Sequence, residues 1–242
     1  MRTVTVVQAR IGSTRLPAKV LADLGGAPLV ERVLDRVSRA ASVDETVLAI
    51  PAGDADEELA ALATRLGYRV VRGPDADVLE RYRLAAVATD ADVVVRVTAD
   101  CPFIDPALVD DAVEQLREDA DDYVSNGSDG YLRGLDVEVM TRNALERAAA
   151  EATVPYERAH VTAYIWSRPE AFRIGWATWE RDYSAYRWTV DTPADLEFAR
   201  AVWGRLADPV GSSWRTILAT VDADPALQAM NAHVVQKALE DG

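Results

Sequence analysis

Residues 8–19 read Gln-Ala-Arg-Ile-Gly-Ser-Thr-Arg-Leu-Pro-Ala-Lys, placing Arg10, Arg15 and Lys19 around the small and hydroxyl residues Ala9, Gly12, Ser13 and Thr14. A polyphosphate is held by that mixture, with amide and hydroxyl donors for its oxygens and cations for its charge. The segment is neither a Walker A loop, since no Gly-Lys-Ser/Thr closes it, nor a G-x-G-x-x-G turn. Lysine occurs only at 19 and 237, arginine supplying the other basic residues. A lysine inside this loop therefore stands out, and its compact ammonium suits a phosphate oxygen as a point charge.

Two carboxylates sit in similar contexts far apart. Asp100 follows the apolar run 92–98 in Arg96-Val97-Thr98-Ala99-Asp100-Cys101-Pro102, and Asp191 ends Arg187-Trp188-Thr189-Val190-Asp191. A hard Mg²⁺ ion takes one or two carboxylates together with phosphate oxygens and water, so Asp100 and Asp191 could converge on one metal. The plainer alternative for each is a turn or a helix cap. Cys101, the single cysteine, reads as a small buried apolar residue, because no basic partner adjoins it to activate a thiolate.

Three weaker groups complete the candidates. In Gly134-Leu135-Asp136-Val137-Glu138 the two-residue period puts Asp136 and Glu138 on one face of a strand, where they could meet acceptor hydroxyls, a second metal or solvent. Asn126, in a glycine- and asparagine-rich loop, and His160 are further candidates for acceptor contact, His160 with a structural role as its alternative. Arg72 and Asp77 flank Gly73-Pro74 after a short strand; Asp77 could equally cap the next helix.

These residues need strand ends to carry them. The chain alternates β-branched runs with amphipathic stretches, the pattern of a mostly parallel sheet with helices on both faces. Strands are expected at 3–8, 46–50, 69–72, 92–98, 135–140, 172–176 and 187–190. Helices are expected at 28–40, 56–66, 78–88, 105–118, 142–151, 156–166 and from 192 to about 206, with a helical segment from about 208 onward. Asp54-x-x-Glu57 and Thr192-Pro193-Ala194-Asp195 resemble capping boxes, and Asp105-Pro106 a capped start. No repeat or linker interrupts 1–242, which reads as one domain.

The formal charge of −14 argues against a nucleic-acid partner, since phosphate backbones are bound by basic faces. No apolar run reaches the roughly 20 residues of a membrane span, and the first residues run straight into a strand without a leader-like segment. With one cysteine, a cytoplasmic setting is expected.

Five ordered segments, QARIGSTRLPAKVL, RVTADCPFIDPALVD, GLDVEVM, ERAHVTAYI and RWTVDTPADLEFAR, resemble the cytidylyltransferase family that includes spore-coat polysaccharide protein SpsF and, more distantly, the CMP-Kdo and CMP-sialic acid synthetases. The resemblance implies a Rossmann-like, GT-A-like three-layer α/β sandwich of the nucleotide-diphospho-sugar transferase type. It further implies CMP transfer from CTP to a small acceptor with release of pyrophosphate, Mg²⁺ as cofactor, and a possible homodimer. By the same resemblance Ala9, Arg10, Gly12, Ser13, Arg15 and Lys19 hold the nucleotide, with contacts also near Arg72 and Asp77. Asp100 and Asp191 match the magnesium aspartates, and Arg10, Lys19 and Asp100 are the catalytic candidates. Where the family reads Pro-Gly-Lys, this chain has Ala18. Two other readings stand beside this one: a glycosyltransferase using Asp75-Ala76-Asp77 as a metal motif, and a non-catalytic subunit that keeps the fold.

Overall fold

The computed structural model describes residues 1–235. Its seven strands are β1 (Thr3–Gln8), β2 (Glu45–Pro51), β3 (Arg69–Gly73), β4 (Val93–Thr98), β5 (Tyr123–Ser125), β6 (Glu138–Thr141) and β7 (Ile174–Trp176). They form one sheet in the order β3-β2-β1-β4-β6-β5-β7, in which β6 alone runs antiparallel. The central strands β1 and β4 are largely buried on both faces because helices cover both. On one face α1 (Leu29–Val37), α2 (Glu57–Arg65) and, further along the chain, the helix at Pro106–Glu118 set Val33, Leu59 and Val113 against Val7, Leu48 and Val95. On the other, α3 (Val78–Thr89) packs Leu79 and Tyr82 against Val4, Val6 and Val94.

The Pro106–Glu118 helix is α4; α5 (Arg142–Glu151), α6 (Pro155–Ala159) and α7 (Ala163–Trp166) extend the α3 layer. Past them α8 (Pro193–Trp203), α9 (Trp214–Asp222) and α10 (Pro225–Ala229) enclose a third core around Phe103, Trp188, Phe198 and Ile217. This is the three-layer α/β arrangement the alternating pattern predicts. Among the described residues no helix is long and apolar enough to cross a membrane.

Two caps form as expected. Asp105 accepts from Ala107 N–H at the start of α4, and Thr192 with Asp195 closes a capping box on α8. Other elements differ from the sequence expectation, each for a local reason. The strand placed at 135–140 begins only at Glu138, because the Asn126 side chain takes the place of a neighbouring strand: its amide donates to Leu135 O (2.7 Å) and accepts from Val137 N–H (2.8 Å). The helix placed at 156–166 is broken into α6 and α7 at Val161, whose φ is 56°.

Residues 187–190 form no strand; a single bridge joins Arg187 to Arg133, and Val190 N–H donates to Asp100 O (2.8 Å). The strand at 172–176 is reduced to Ile174–Trp176. Asp54 caps nothing with its side chain; residues Asp54–Asp56 make a 3₁₀ turn before α2. The segment from 208 becomes helical only at Trp214, and its part beyond 235, Lys237 included, lies outside the described residues.

Gly134 joins the core to the site. Its φ is +100°, and a Cβ there would sit 2.6 Å from Thr189 N and 2.6 Å from the Trp188 carbonyl carbon. Gly134→Ala is therefore expected to destabilise the protein by at least about 2 kcal/mol in urea titration, because both the conformation and the space favour glycine. An unchanged midpoint would mean that 187–191 moves aside easily.

Candidate active site

The cationic loop leaves β1 at its carboxyl end, where open α/β sheets bind ligands. Its path is fixed from within and from the side. Ser13 and Ala18 N–H groups donate to Ile11 O, at 2.7 and 3.2 Å, and Ile11 N–H donates to Asp56 Oδ1 at 2.7 Å. Asp56 thus anchors the loop to the start of α2, a role no motif in the sequence announces. Ala9 is buried in the core beneath the loop, whereas Gly12 faces open space: a Cβ there would touch nothing within 4 Å. Ser13 is half-buried and Arg10 exposed.

Ala18 adopts φ 53°, ψ 29°, the left-handed region natural to the glycine that the resemblance leads one to expect there. An alanine pays about 1–2 kcal/mol for that conformation, and glycine gives part of the gain back through a freer unfolded chain. Ala18→Gly is expected to stabilise the protein by about 1 kcal/mol, raising the melting temperature by about 2–4 °C. A lower melting temperature would contradict the strain.

The turn at Ala18 delivers Lys19 to the centre of the site. Its Nζ lies 2.8 Å from Asp100 Oδ2 and 2.8 Å from Asp191 Oδ1. Arg15 Nη2 reaches the same Asp191 oxygen at 3.0 Å, and Arg187 Nη2 holds the other, Oδ2, at 2.8 Å. The side chains of Lys19, Asp100 and Asp191 are only 13%, 23% and 10% exposed, so these charges interact through little water.

Burial works against ionised Asp100, but the Lys19 charge and hydrogen bond, with help from the Thr98 hydroxyl, outweigh it and bring its pKa down to about 2. Burial likewise works against charged Lys19, and Asp100 and Asp191 outweigh it, raising its pKa. Cys101 beside them is buried, and burial followed by the Asp100 charge pushes its thiol well above the usual range. It is not a thiolate nucleophile.

The remaining candidates lie around this centre. Arg10 pairs loosely with Asp75 (3.5 Å) and Arg72 with Glu57 (2.9 Å), both partly exposed at the β3 side. Asp77 caps α3 through Glu80 N–H (3.0 Å) and pairs with Arg158 (2.7 Å). On the β6 side Asp136 accepts from Gly134 N–H (2.8 Å). Its pKa is raised, chiefly by burial; the Gly134 N–H and Arg133 oppose this, while the Asp100 charge adds to it.

Glu138 is enclosed by Arg96, the Tyr123 hydroxyl and the Thr162 hydroxyl. His160 packs its ring 4.7 Å from that of Tyr156, and its carbonyl accepts from Thr162 N–H (2.5 Å). Asn126 is buried, with its amide committed to residues 135 and 137. Arg15, Lys19, Asp100 and Asp191 thus come into direct contact. Asp136 stands near Asp100, whereas Asn126 and Glu138 hold the surrounding backbone and sheet.

Sequence reasoning missed Arg96 as Glu138's partner, Asp56 as the loop's anchor, and Arg187 with Asp195 behind Asp191. A signal existed for Arg96: a charge inside Val93–Thr98 must find a buried counter-charge.

A family model described as cytidylyltransferase matches residues 4–213, which takes in the cationic loop, Asp100 and Asp191. The chain belongs to the cytidylyltransferase family. As a cytidylyltransferase it uses CTP as its nucleotide donor. It is 31% identical over 231 residues to spore coat polysaccharide biosynthesis protein SpsF of Bacillus subtilis, covering 91% of this chain and 94% of that one. It is 36% identical over 122 residues to the 3-deoxy-manno-octulosonate cytidylyltransferase of Geotalea uraniireducens, a match spanning 50% of this cytidylyltransferase and 47% of the relative. The solved cytidylyltransferase from Leptospira borgpetersenii superposes with a TM-score of 0.91 at 27% identity, covering 98% of this chain and all of that one.

Proposed function

We propose that this cytidylyltransferase transfers CMP from CTP to an anionic, hydroxyl-bearing acceptor of the sugar-acid or sugar-phosphate type, with Mg²⁺ held by Asp100 and Asp191. The observation that carries the reading is the convergence of these two carboxylates on the single point now taken by the Lys19 ammonium, 2.8 Å from each. Two carboxylates beside a phosphate-binding loop fit the donor set of Mg²⁺, with phosphate oxygens and water to complete it. When bound, the ion supplies charge neutralisation at the transferring phosphate.

The chain's own residues do the rest. Lys19, Arg15 and Arg10 receive the triphosphate, so that charge developing on departing pyrophosphate meets fixed cations. The acceptor oxygen attacks the α-phosphorus and its hydroxyl proton passes to solvent; the bond from the α-phosphorus to the α,β-bridging oxygen breaks, and pyrophosphate leaves with that oxygen. Asp136, on the acceptor side and near Asp100, is placed to receive a hydrogen bond from the attacking hydroxyl and orient it. SpsF, named for polysaccharide biosynthesis, and the octulosonate enzyme support a carbohydrate acceptor.

The glycosyltransferase alternative loses its motif, since Asp77 is committed to the α3 cap and to Arg158. A cytoplasmic setting is supported by the CTP donor and the single free Cys101. A homodimer rests on the family resemblance. Calorimetric titration with the four nucleoside triphosphates, with and without Mg²⁺, tests the reading: Mg²⁺-dependent binding of CTP alone is expected. Equal CTP affinity without the metal would overturn the metal assignment. Pyrophosphate release with a sugar-acid and sugar-phosphate panel then identifies the acceptor.

A further inference from the structure

The two oxygens of Asp191 face different ways. Oδ1 meets Lys19 and Arg15 at the nucleotide side, at 2.8 and 3.0 Å, whereas Oδ2 is held from behind by Arg187 Nη2 at 2.8 Å. Arg187 is itself fixed. Its Nε donates to Asp195 Oδ1 at 2.9 Å and its Nη2 to Asp195 Oδ2 at 3.3 Å, with Asp195 fully buried. Asn231, a buried residue beyond α10, closes the group: its Nδ2 donates to Arg187 O at 2.9 Å and to Asp195 Oδ1 at 3.0 Å.

The helix start does not require this arginine. Thr192 and Asp195 satisfy each other's N–H groups, and Asp195 Oδ2 also accepts from Asp191 N–H at 3.1 Å. A capping box is complete with those partners. A buried cation added to it must be fully paired to be tolerated, and here the pairing runs outward to Asp191, one of the two carboxylates that line the site. Only a planar fork reaches both aspartates in fixed directions; an ammonium at the same place is a single point with rotatable donors.

We propose that Arg187 is a positioning residue for nucleotide transfer: held by Asp195 and Asn231, it pulls back Asp191 Oδ2 so that Oδ1 alone is presented to the metal and phosphate side. The proposal rests on the reading of Asp191 as a metal-holding residue. Partners that orient a ligating group in this way commonly account for about 10–100-fold in metal affinity or activity.

The test is Arg187→Lys, with Asn231→Ala as a milder second variant that leaves both charges in place. Cooperative thermal unfolding first establishes that each variant is folded. Calorimetry then reads CTP affinity with Mg²⁺ and in chelator, and steady-state kinetics separates kcat from KM. For Arg187→Lys, Mg²⁺-dependent CTP affinity and kcat are expected to fall about 10–100-fold while CTP affinity in chelator changes less than about threefold. Asn231→Ala is expected to shift the same two quantities in the same direction by roughly threefold to tenfold.

Wild-type Mg²⁺-dependent affinity and turnover in Arg187→Lys would overturn the proposal. An equal loss with and without Mg²⁺ would overturn it too, by showing general damage to the pocket. If the unmodified protein itself binds CTP equally with and without Mg²⁺, the metal reading has failed, and that outcome is separate because it appears before any substitution.

Discussion

Asp100→Asn is expected to lower turnover by about a thousandfold or more in a protein that still folds. The side chain keeps its shape, but the neutral amide cannot share a cation with Asp191, and Lys19 loses one of its two carboxylate partners, both now at 2.8 Å. The substitution also has a signature in stability. The Asp100 pKa is depressed from 3.8 to about 2, burial opposing the shift and Lys19 with Thr98 producing it.

A depressed carboxylate contributes stability that is present above its unfolded pKa and lost as pH falls through its folded value. The stability difference between the parent protein and Asp100→Asn should therefore shrink by about 2 kcal/mol between pH 5 and pH 2. Urea titrations across that range check it. A difference that stays constant, or an Asn variant with parental turnover, would remove Asp100 from the centre of the site.

Lys19→Met has the second large effect, and its sign differs between ligands. Transfer measured as kcat/KM for CTP should fall by roughly 10²–10³-fold, since a desolvated cation aimed at the phosphates is gone. Binding of Mg²⁺ in the absence of nucleotide should instead tighten, by about tenfold, equivalent to about 1.4 kcal/mol. In the parent protein an incoming ion must first dislodge an ammonium in contact with both aspartates. In the variant Asp100 is left as a poorly compensated carboxylate, which the ion would neutralise. Calorimetric titration with MgCl₂ alone decides this: weaker binding to Lys19→Met than to the parent would show that the lysine helps to hold the ion and does not compete with it.

The parts of this molecule set by local chemistry were readable in the sequence. β1 and β4 announce themselves as β-branched runs, α4 and α8 by Asp105-Pro106 and by Thr192 with Asp195, and the cationic loop by its crowding of Arg10, Arg15 and Lys19 after a strand. What sequence reasoning missed depends on contacts across the chain. Nothing near Leu135 says that its carbonyl will be taken by the amide of Asn126, so a periodicity of two suggested a longer strand. Residues 187–190 have the apolar alternation of a strand, but Trp188 and Val190 donate to Arg133 and Asp100 in loops, leaving no ladder to join. Val161 gives no sign of a positive φ, so a helix seemed continuous where it breaks.

Behind the site the same rule holds. Arg187 and Asp195 stand eight residues apart with Asp191 between them, yet only the fold shows that one arginine spans both carboxylates. The acids at Asp56 and Glu138 were visible as charges, and their partners Ile11 and Arg96 were not.

The ion pair of Lys19 with Asp191 closes a separation of 172 residues, and that with Asp100 one of 81. Most of the chain must therefore be in place before the cation finds both carboxylates, and closure of so long a loop is entropically uphill until the intervening layers have packed. A nascent or partly unfolded chain holds the cationic loop without its counter-charges and cannot gather the three groups. Donor occupancy and global folding are thereby linked: a nucleotide present at a hundred times its dissociation constant deepens the stability of the whole molecule by about 2.7 kcal/mol, and saturating CTP should slow digestion of the purified protein by a protease that cuts only the opened chain.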